Sequence, residues 1–299
     1  MRVSAIHHPS EPTETVSTST STCCPPLPVA RSALLAALSI VVHGITGRVP
    51  GMGAAAGNIG FSAPRDQADA WRMRQRWAAA IAVDPHALTV AGQIHGTTVR
   101  HVTATEAGAG AAPGTPHLGL ADALITDAPG VVLLSLHADC LPLLLVDPRR
   151  PAVGVVHAGW RGTVGDIAGA TVRAMTRSFG TNPADLLAFL GPAIHACCYE
   201  VGPDVVFPWL DQIDDFPEGG QAIGRVADAT TFDLPLANSL LLQRVGVPPA
   251  AIEISPTCTS CSKDQYFSHR AQGPGTGRFG AIIALTNAVP GLLSPAPRA

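Results

Sequence analysis

Residues 131–135, 141–146 and 152–157 are three apolar runs separated by only a few residues, and none alternates apolar with polar side chains. Such runs read as strands buried on both faces, because a strand with one wet face shows a period of two. A sheet of that kind needs a layer of structure on each side. Helical segments lie between the strands, so the sequence predicts a layered α/β fold with its chemistry on loops at the strand ends.

The other elements follow the same reading. Residues 34–45 are expected as a first buried strand and 88–94 as a short one. A helix is expected over 68–82, where Trp71, Arg74 and Trp77 fall at helical spacing. A second helix is expected over 162–179, and two more over 199–207 and 234–245 on either side of an acidic loop at 211–218. Strands are expected at 186–190, 252–254 and 280–285.

A net charge of -3 gives no general attraction to nucleic acid or an anionic membrane. The longest apolar stretch near the start, residues 32–42, falls short of the roughly 20 residues that span a bilayer. Neither nucleic acid nor membrane is therefore an expected partner. Seven unevenly spread cysteines do not make the disulfide framework of a small secreted domain, so reduced thiols in a cytoplasm are expected. The Ser/Thr/Pro-rich start has little to bury, and residues 1–30 are expected as a disordered extension.

Two of the apolar runs meet residues too reactive for packing. Cys140 follows Asp139 at the head of one run, and His157 closes the next, ahead of Ala158-Gly-Trp-Arg-Gly162. A thiol and an imidazole brought together by strands make either a metal site or a nucleophile–base pair. The neighbouring carboxylate argues against a plain core, which rarely accepts one without a partner. His95, in Gln93-Ile-His-Gly96, is a third candidate. Together His95, Cys140 and His157 would give Zn²⁺ three ligands and leave a fourth position open.

Arg161, just after the His157 run and at the start of a helix, is placed to grip an anion. Arg48, Arg270 and Arg278 also lie in Gly-rich or polar loops. Cys258 and Cys261 form a C-x-x-C with no second pair nearby in the sequence, and read as structural. His137, Cys197, Cys198 and Tyr199 lie beside the candidate loops without a signal of their own.

As an ordered set, several segments resemble one family. They are His43-Gly-Ile-Thr-Gly-Arg48, Asn58-Ile-Gly60, Gln93-Ile-His-Gly96, Ala138-Asp-Cys-Leu-Pro142 and His157-Ala-Gly-Trp-Arg-Gly162. Leu190-Gly-Pro-Ala-Ile194, Cys198-Tyr-Glu-Val201, Cys258-Thr259, Phe267-Ser-His-Arg270 and Thr276-Gly-Arg278 continue the series. The family is that of the YfiH-like or laccase-domain proteins, also known as polyphenol oxidase or purine nucleoside phosphorylase family proteins. The likeness covers roughly residues 39–285.

The resemblance implies a single-domain α/β sandwich of the YfiH-like type over residues 31–290, with 291–299 as a tail. It implies zinc, with copper as the alternative, held by His95, Cys140 and His157. The implied reactions are phosphorolysis of adenosine, inosine, guanosine and methylthioadenosine, and deamination of adenosine. Purine nucleosides and phosphate are the expected partners. Catalysis is expected at His95, Asp139, Cys140 and His157, and substrate or phosphate binding at Arg48, Asn58, Gln93 and Arg161. Ser268-His-Arg270 stands where Ser-Tyr-Arg is commoner in the family, a departure that bears on substrate preference.

Three other readings compete. Cys140 as nucleophile and His157 as base would make a cysteine hydrolase. A role in editing peptidoglycan precursors follows from a link drawn for the family. A copper polyphenol oxidase follows from the family's older label, but the chain has no His-x-His pair to build a multinuclear cluster.

Overall fold

Period-two alternation inside the buried runs decides how the layers stack. A computed structural model of the chain describes residues 26–286; most of the expected 1–30 extension, and all of the 291–299 tail, lie outside the described residues. The strands are β1 (Val41–Ile45), β2 (Leu88–Thr89), β3 (Val99–His101), β4 (Ala123–Thr126), β5 (Val132–His137) and β6 (Leu141–Asp147). They continue as β7 (Ala152–Ala158), β8 (Leu187–Leu190), β9 (Ile223–Val226), β10 (Ala229–Phe232), β11 (Ile252–Ile254) and β12 (Phe279–Leu285). The helices are α1 (Ala33–Ala36), α2 (Gln67–Ile81), α3 (Trp160–Val164), α4 (Ile167–Phe179), α5 (Pro203–Gln212), α6 (Leu234–Arg244) and α7 (His269–Gln272).

One sheet has the order β1-β12-β5-β2, a second the order β11-β8-β6-β7-β4-β3, and β9-β10 is a separate hairpin. Leu144 and Val146 of β6, Val153 and Val155 of β7, and Phe279, Ala281 and Ile283 of β12 pack together between the two sheets. The alternate residues Leu141, Leu143, Leu145 and Val156 face outward onto α4 and α6, meeting Val172, Met175, Ala237 and Leu241. On the far side, Val132, Leu134, Ile282 and Ala284 face α2 through Met73, Trp77 and Ile81. The result is a mixed α/β single domain in four layers: helix, sheet, sheet, helices.

Pairing direction gathers the chemistry at one end. β6 runs antiparallel to β7 with Pro142 opposite His157, and β4 runs antiparallel to β7 with Ala123 opposite Val156. β8 is antiparallel to β6, and β11 is parallel to β8. The residues just before β4 and β6, and those at the ends of β5, β7, β8 and β11, therefore share one edge of the sandwich.

Several expected elements differ. The strand expected over 34–45 is broken into α1 and β1, because the Ser32 side chain caps Leu35 N–H while the Glu253 carboxylate takes the N–H groups of Ala33 and Leu34. The helix expected over 162–179 breaks between α3 and α4, where Asp166 takes a left-handed φ of 62° and caps Gly169. The helix expected at 199–207 begins only at Pro203, after a turn over 195–199; proline is favoured at a first helical position. Only Leu88 and Thr89 of the strand expected over 88–94 pair with a neighbouring strand. The hairpin β9-β10 was not expected at all. Its strands are short, and only Thr231 and Phe232 are well buried, so they carry little apolar signal.

Candidate active site

His157 continues the alternation of Val153 and Val155, so it falls on the face between the sheets, at its open edge. Cys140 immediately precedes β6 and faces the same gap across the β6–β7 pairing. His95 arrives from the Gln93–Gly96 loop ahead of β3. One ligand atom from each of the three lies within 4.8 Å of the others. His157 is buried, Cys140 half-buried and His95 exposed, so the trio reaches solvent through His95.

Asp122, just before β4, organises two of the three. Its Oδ1 lies 3.0 Å from His157 Nδ1 and accepts the His95 N–H at 2.9 Å, while Oδ2 accepts the Gly96 N–H at 2.7 Å. The bond to Nδ1 leaves Nε2 of His157 free to face Cys140. Burial raises the Asp122 carboxyl, but the hydrogen bonds from His157 and the Gly96 N–H outweigh it and hold the group below its usual range.

Burial likewise raises the Cys140 thiol, yet the charge and hydrogen bond of His157, with a further bond from His95, bring it down to about 6. Burial lowers His157, but the Cys140 thiolate and Asp122 together lift it to about 9. The site therefore favours thiolate, the ligating form of cysteine.

The donor set fits a divalent metal: two imidazoles and a thiolate converge, and the remaining nitrogen of His157 is oriented by a carboxylate. Gly159 supports the fit, since a Cβ there would come 3.0 Å from His95 Cδ2 and 3.1 Å from Cys140 Sγ. The backbone is thus drawn up against the trio. His95 at φ 61° and Asp139 at φ 83° hold left-handed backbone on either side of the site.

The trio lies on the wall of a cleft of about 900 Å³, also lined by Phe61, Trp160, Tyr199, Arg161, Arg270 and Arg278. The Arg161 guanidinium rests 4.1 Å over the Trp160 ring and is exposed. Its helix, α3, is only five residues long and adds little N-terminal dipole, less than the expected helix start suggested. Arg270 is committed to the carbonyls of Cys198 and Glu200, and Arg278 Nη1 to those of Thr276 and Gly277.

The other sequence candidates divide. Asp139 lines the cleft, but both its oxygens are occupied, Oδ1 by the Thr259 hydroxyl at 2.6 Å and Oδ2 by the Arg270 N–H at 2.7 Å. Gln93 also lines it, while its side-chain amide pairs with the backbone of Leu136 like an added strand residue. Asn58 is buried away from the cleft. Its Oδ1 accepts the N–H groups of Gly60 and Arg278, so it anchors the arginine's backbone. Arg48 lies beside a separate recess with Phe267 and Thr276, 3.9 Å from Asp264, and is not brought to the trio.

Sequence reasoning missed Asp122. Its signal was present in Ala121-Asp-Ala123, a carboxylate set among small residues directly before a strand, as in Ala138-Asp-Cys140.

A family described as multi-copper polyphenol oxidoreductase laccase matches residues 42–286. The purine nucleoside phosphorylase YlmD of Geobacillus stearothermophilus is 37% identical over 229 residues, 76% of this chain and 82% of that one. The adenosine deaminase RL5 of an unknown prokaryotic organism is 39% identical over 160 residues, 52% of this chain and 59% of that one. Among solved structures, the hypothetical protein YfiH of Bacillus licheniformis superposes with a TM-score of 0.76 at 33% identity, covering 82% of this chain and 93% of that one.

Proposed function

The chain belongs to the family described as multi-copper polyphenol oxidoreductase laccase, and on that premise we propose that it is a zinc-dependent purine nucleoside phosphorylase with adenosine deaminase activity. The observation that carries the reading is one cleft that holds both a thiolate–bis-imidazole trio and the guanidinium of Arg161. Its volume, about 900 Å³, suits a nucleoside together with a phosphate ion.

A zinc ion held by His95, Cys140 and His157 supplies Lewis acidity at the cleft wall. Arg161 grips phosphate, because its donors are uncommitted among the described residues and Trp160 steadies its plane. Arg270 and Arg278 add positive charge nearby while remaining bonded to backbone carbonyls. Trp160, Tyr199 and Phe61 offer aromatic faces to the purine. Asp139, with both oxygens engaged, orients its loop rather than moving protons. Gln93 shapes the wall, and Arg48 and Asn58 act outside the cleft.

Two competing readings weaken on particular observations. A multinuclear copper centre needs several clustered histidines, and among the described residues the ligand groups that converge are this trio and a set of four cysteines. A cysteine hydrolase would use Cys140 with His157, but a third donor, His95, crowds the same thiolate. The five described cysteines are free, which accords with a reducing cytoplasm, and no helix among the described residues is long and apolar enough to cross a membrane. We take residues 31–290 as the catalytic domain.

The deciding test is product analysis with inosine, with and without phosphate, for the wild type and Cys140→Ala. Phosphate-dependent hypoxanthine and ribose 1-phosphate, lost in the variant, support the reading. No turnover of any purine nucleoside by zinc-loaded protein overturns it.

A further inference from the structure

Two cysteine pairs far apart in the sequence meet beside the cleft. Cys197 and Cys198 sit in the turn after β8, and Cys258 and Cys261 in the turn after β11. Because β8 and β11 are parallel neighbours, both turns leave the sheet at the same edge. The backbones are tied there as well: Ala193 bridges Cys258, and the Thr259 N–H donates to the Ala193 carbonyl at 2.9 Å.

The sulfur atoms stand 3.9 Å apart for Cys197 and Cys198, 3.7 Å for Cys197 and Cys261, and 3.3 Å for Cys198 and Cys261. All four lie within 4.8 Å of one another. A disulfide would need about 2.05 Å. Four sulfurs arranged tetrahedrally at about 2.3 Å around one zinc ion lie about 3.8 Å from each other; two of these three separations fall within 0.1 Å of that and the third is shorter.

We propose that Cys197, Cys198, Cys258 and Cys261 bind a second zinc ion, in a closed four-thiolate structural site distinct from the His95–Cys140–His157 trio. Soft thiolates favour zinc over hard cations, and with every coordination position filled by protein the site does no chemistry of its own. It clamps two loops that serve the cleft. One carries Tyr199. The other carries Thr259, whose hydroxyl holds Asp139 beside Cys140. The Arg270 guanidinium, bonded to the Cys198 carbonyl, sets a positive charge beside the cluster and offsets part of the net negative charge that a zinc ion with four thiolates carries.

The test uses the full chain, loaded with Zn²⁺ and then desalted. Elemental analysis should find two zinc ions per chain in the wild type, one in Cys140→Ala, and one in Cys197→Ser/Cys261→Ser, whose two substitutions fall at exposed positions. X-ray absorption at the zinc edge of Cys140→Ala should show sulfur alone at about 2.3 Å. A wild type holding one zinc ion per chain, all of it retained by folded Cys197→Ser/Cys261→Ser, overturns the proposal. So does a nitrogen or oxygen neighbour in the Cys140→Ala spectrum, a different metal there, or a disulfide among these four residues in the intact mass of unreduced wild type.

Discussion

His157 Nδ1 lies 3.0 Å from Asp122 Oδ1, and the same carboxylate accepts the backbone N–H groups of His95 and Gly96. One side chain thus orients one imidazole directly and fixes the loop that carries another. Partners of this kind usually govern metal affinity by about 10- to 100-fold. Asp122→Asn keeps the shape and removes the charge, and should weaken zinc binding at the trio by a factor in that range. Competition against a chromophoric chelator measures it.

Gly159→Ala should also weaken the trio, by a different route. The backbone at Gly159 has φ -79°, which any residue adopts, so the added methyl costs nothing in local conformation. It would instead press on His95 and Cys140 at 3.0 and 3.1 Å. The expected result is at least about a tenfold loss of zinc affinity, comparable with the loss of an orienting partner, and little change in melting temperature. Zinc titration beside a thermal melt separates the two.

Arg161→Ala should raise the KM for phosphate by about 10- to 100-fold, the effect of losing a charge-assisted hydrogen bond worth about 1.5–3 kcal/mol. Arg48→Ala should change it little, because Arg48 lies at another recess. Phosphate-dependence curves for both variants check this. The reverse pattern would move the anion site to Arg48.

Stability should fall on acidification through His43. Burial first, and then the Arg31 charge, lower its pKa from 6.5 to about 4, while Glu253 opposes them. The neutral ring accepts the Ser32 N–H through Nε2 at 3.0 Å, a bond that protonation there would break. The unfolded chain therefore binds a proton that the folded chain refuses between those values, so this contribution is whole above pH 6.5 and declines as the pH drops toward about 4. Thermal melts across that window should show a shallower decline for His43→Gln than for the wild type.

The sequence carried the trio because Cys140 at the head of one apolar run and His157 at the close of the next stood out against continuous apolar residues, and His95 lay in a permissive Gly-bounded loop. It carried the layering because β5, β6, β7 and β12 are long enough to show burial on both faces. Asp122 stayed hidden because an aspartate before a strand looks like an ordinary turn residue until the pairing of β4 with β7 sets it under His157. Arg48 looked like an anion ligand from its loop chemistry, and only tertiary placement sends it to Asp264. The C-x-x-C seemed to lack a partner pair for the same reason: its neighbours in space are more than sixty residues away in the chain.

The pairing of Pro142 opposite His157 has a consequence for assembly. Side chains alternate across a strand, so a slip of one residue between β6 and β7 would turn His157 to the opposite face of the sheet, away from Cys140. Both faces are apolar along most of these strands, so hydrophobicity alone discriminates poorly between the neighbouring alignments. The ligand trio discriminates sharply, since only one alignment brings its donors together. A metal held by the trio would therefore favour the correct alignment: a chain mispaired between β6 and β7 would lack the complete donor set, and a chain that holds the metal would be a correctly threaded one.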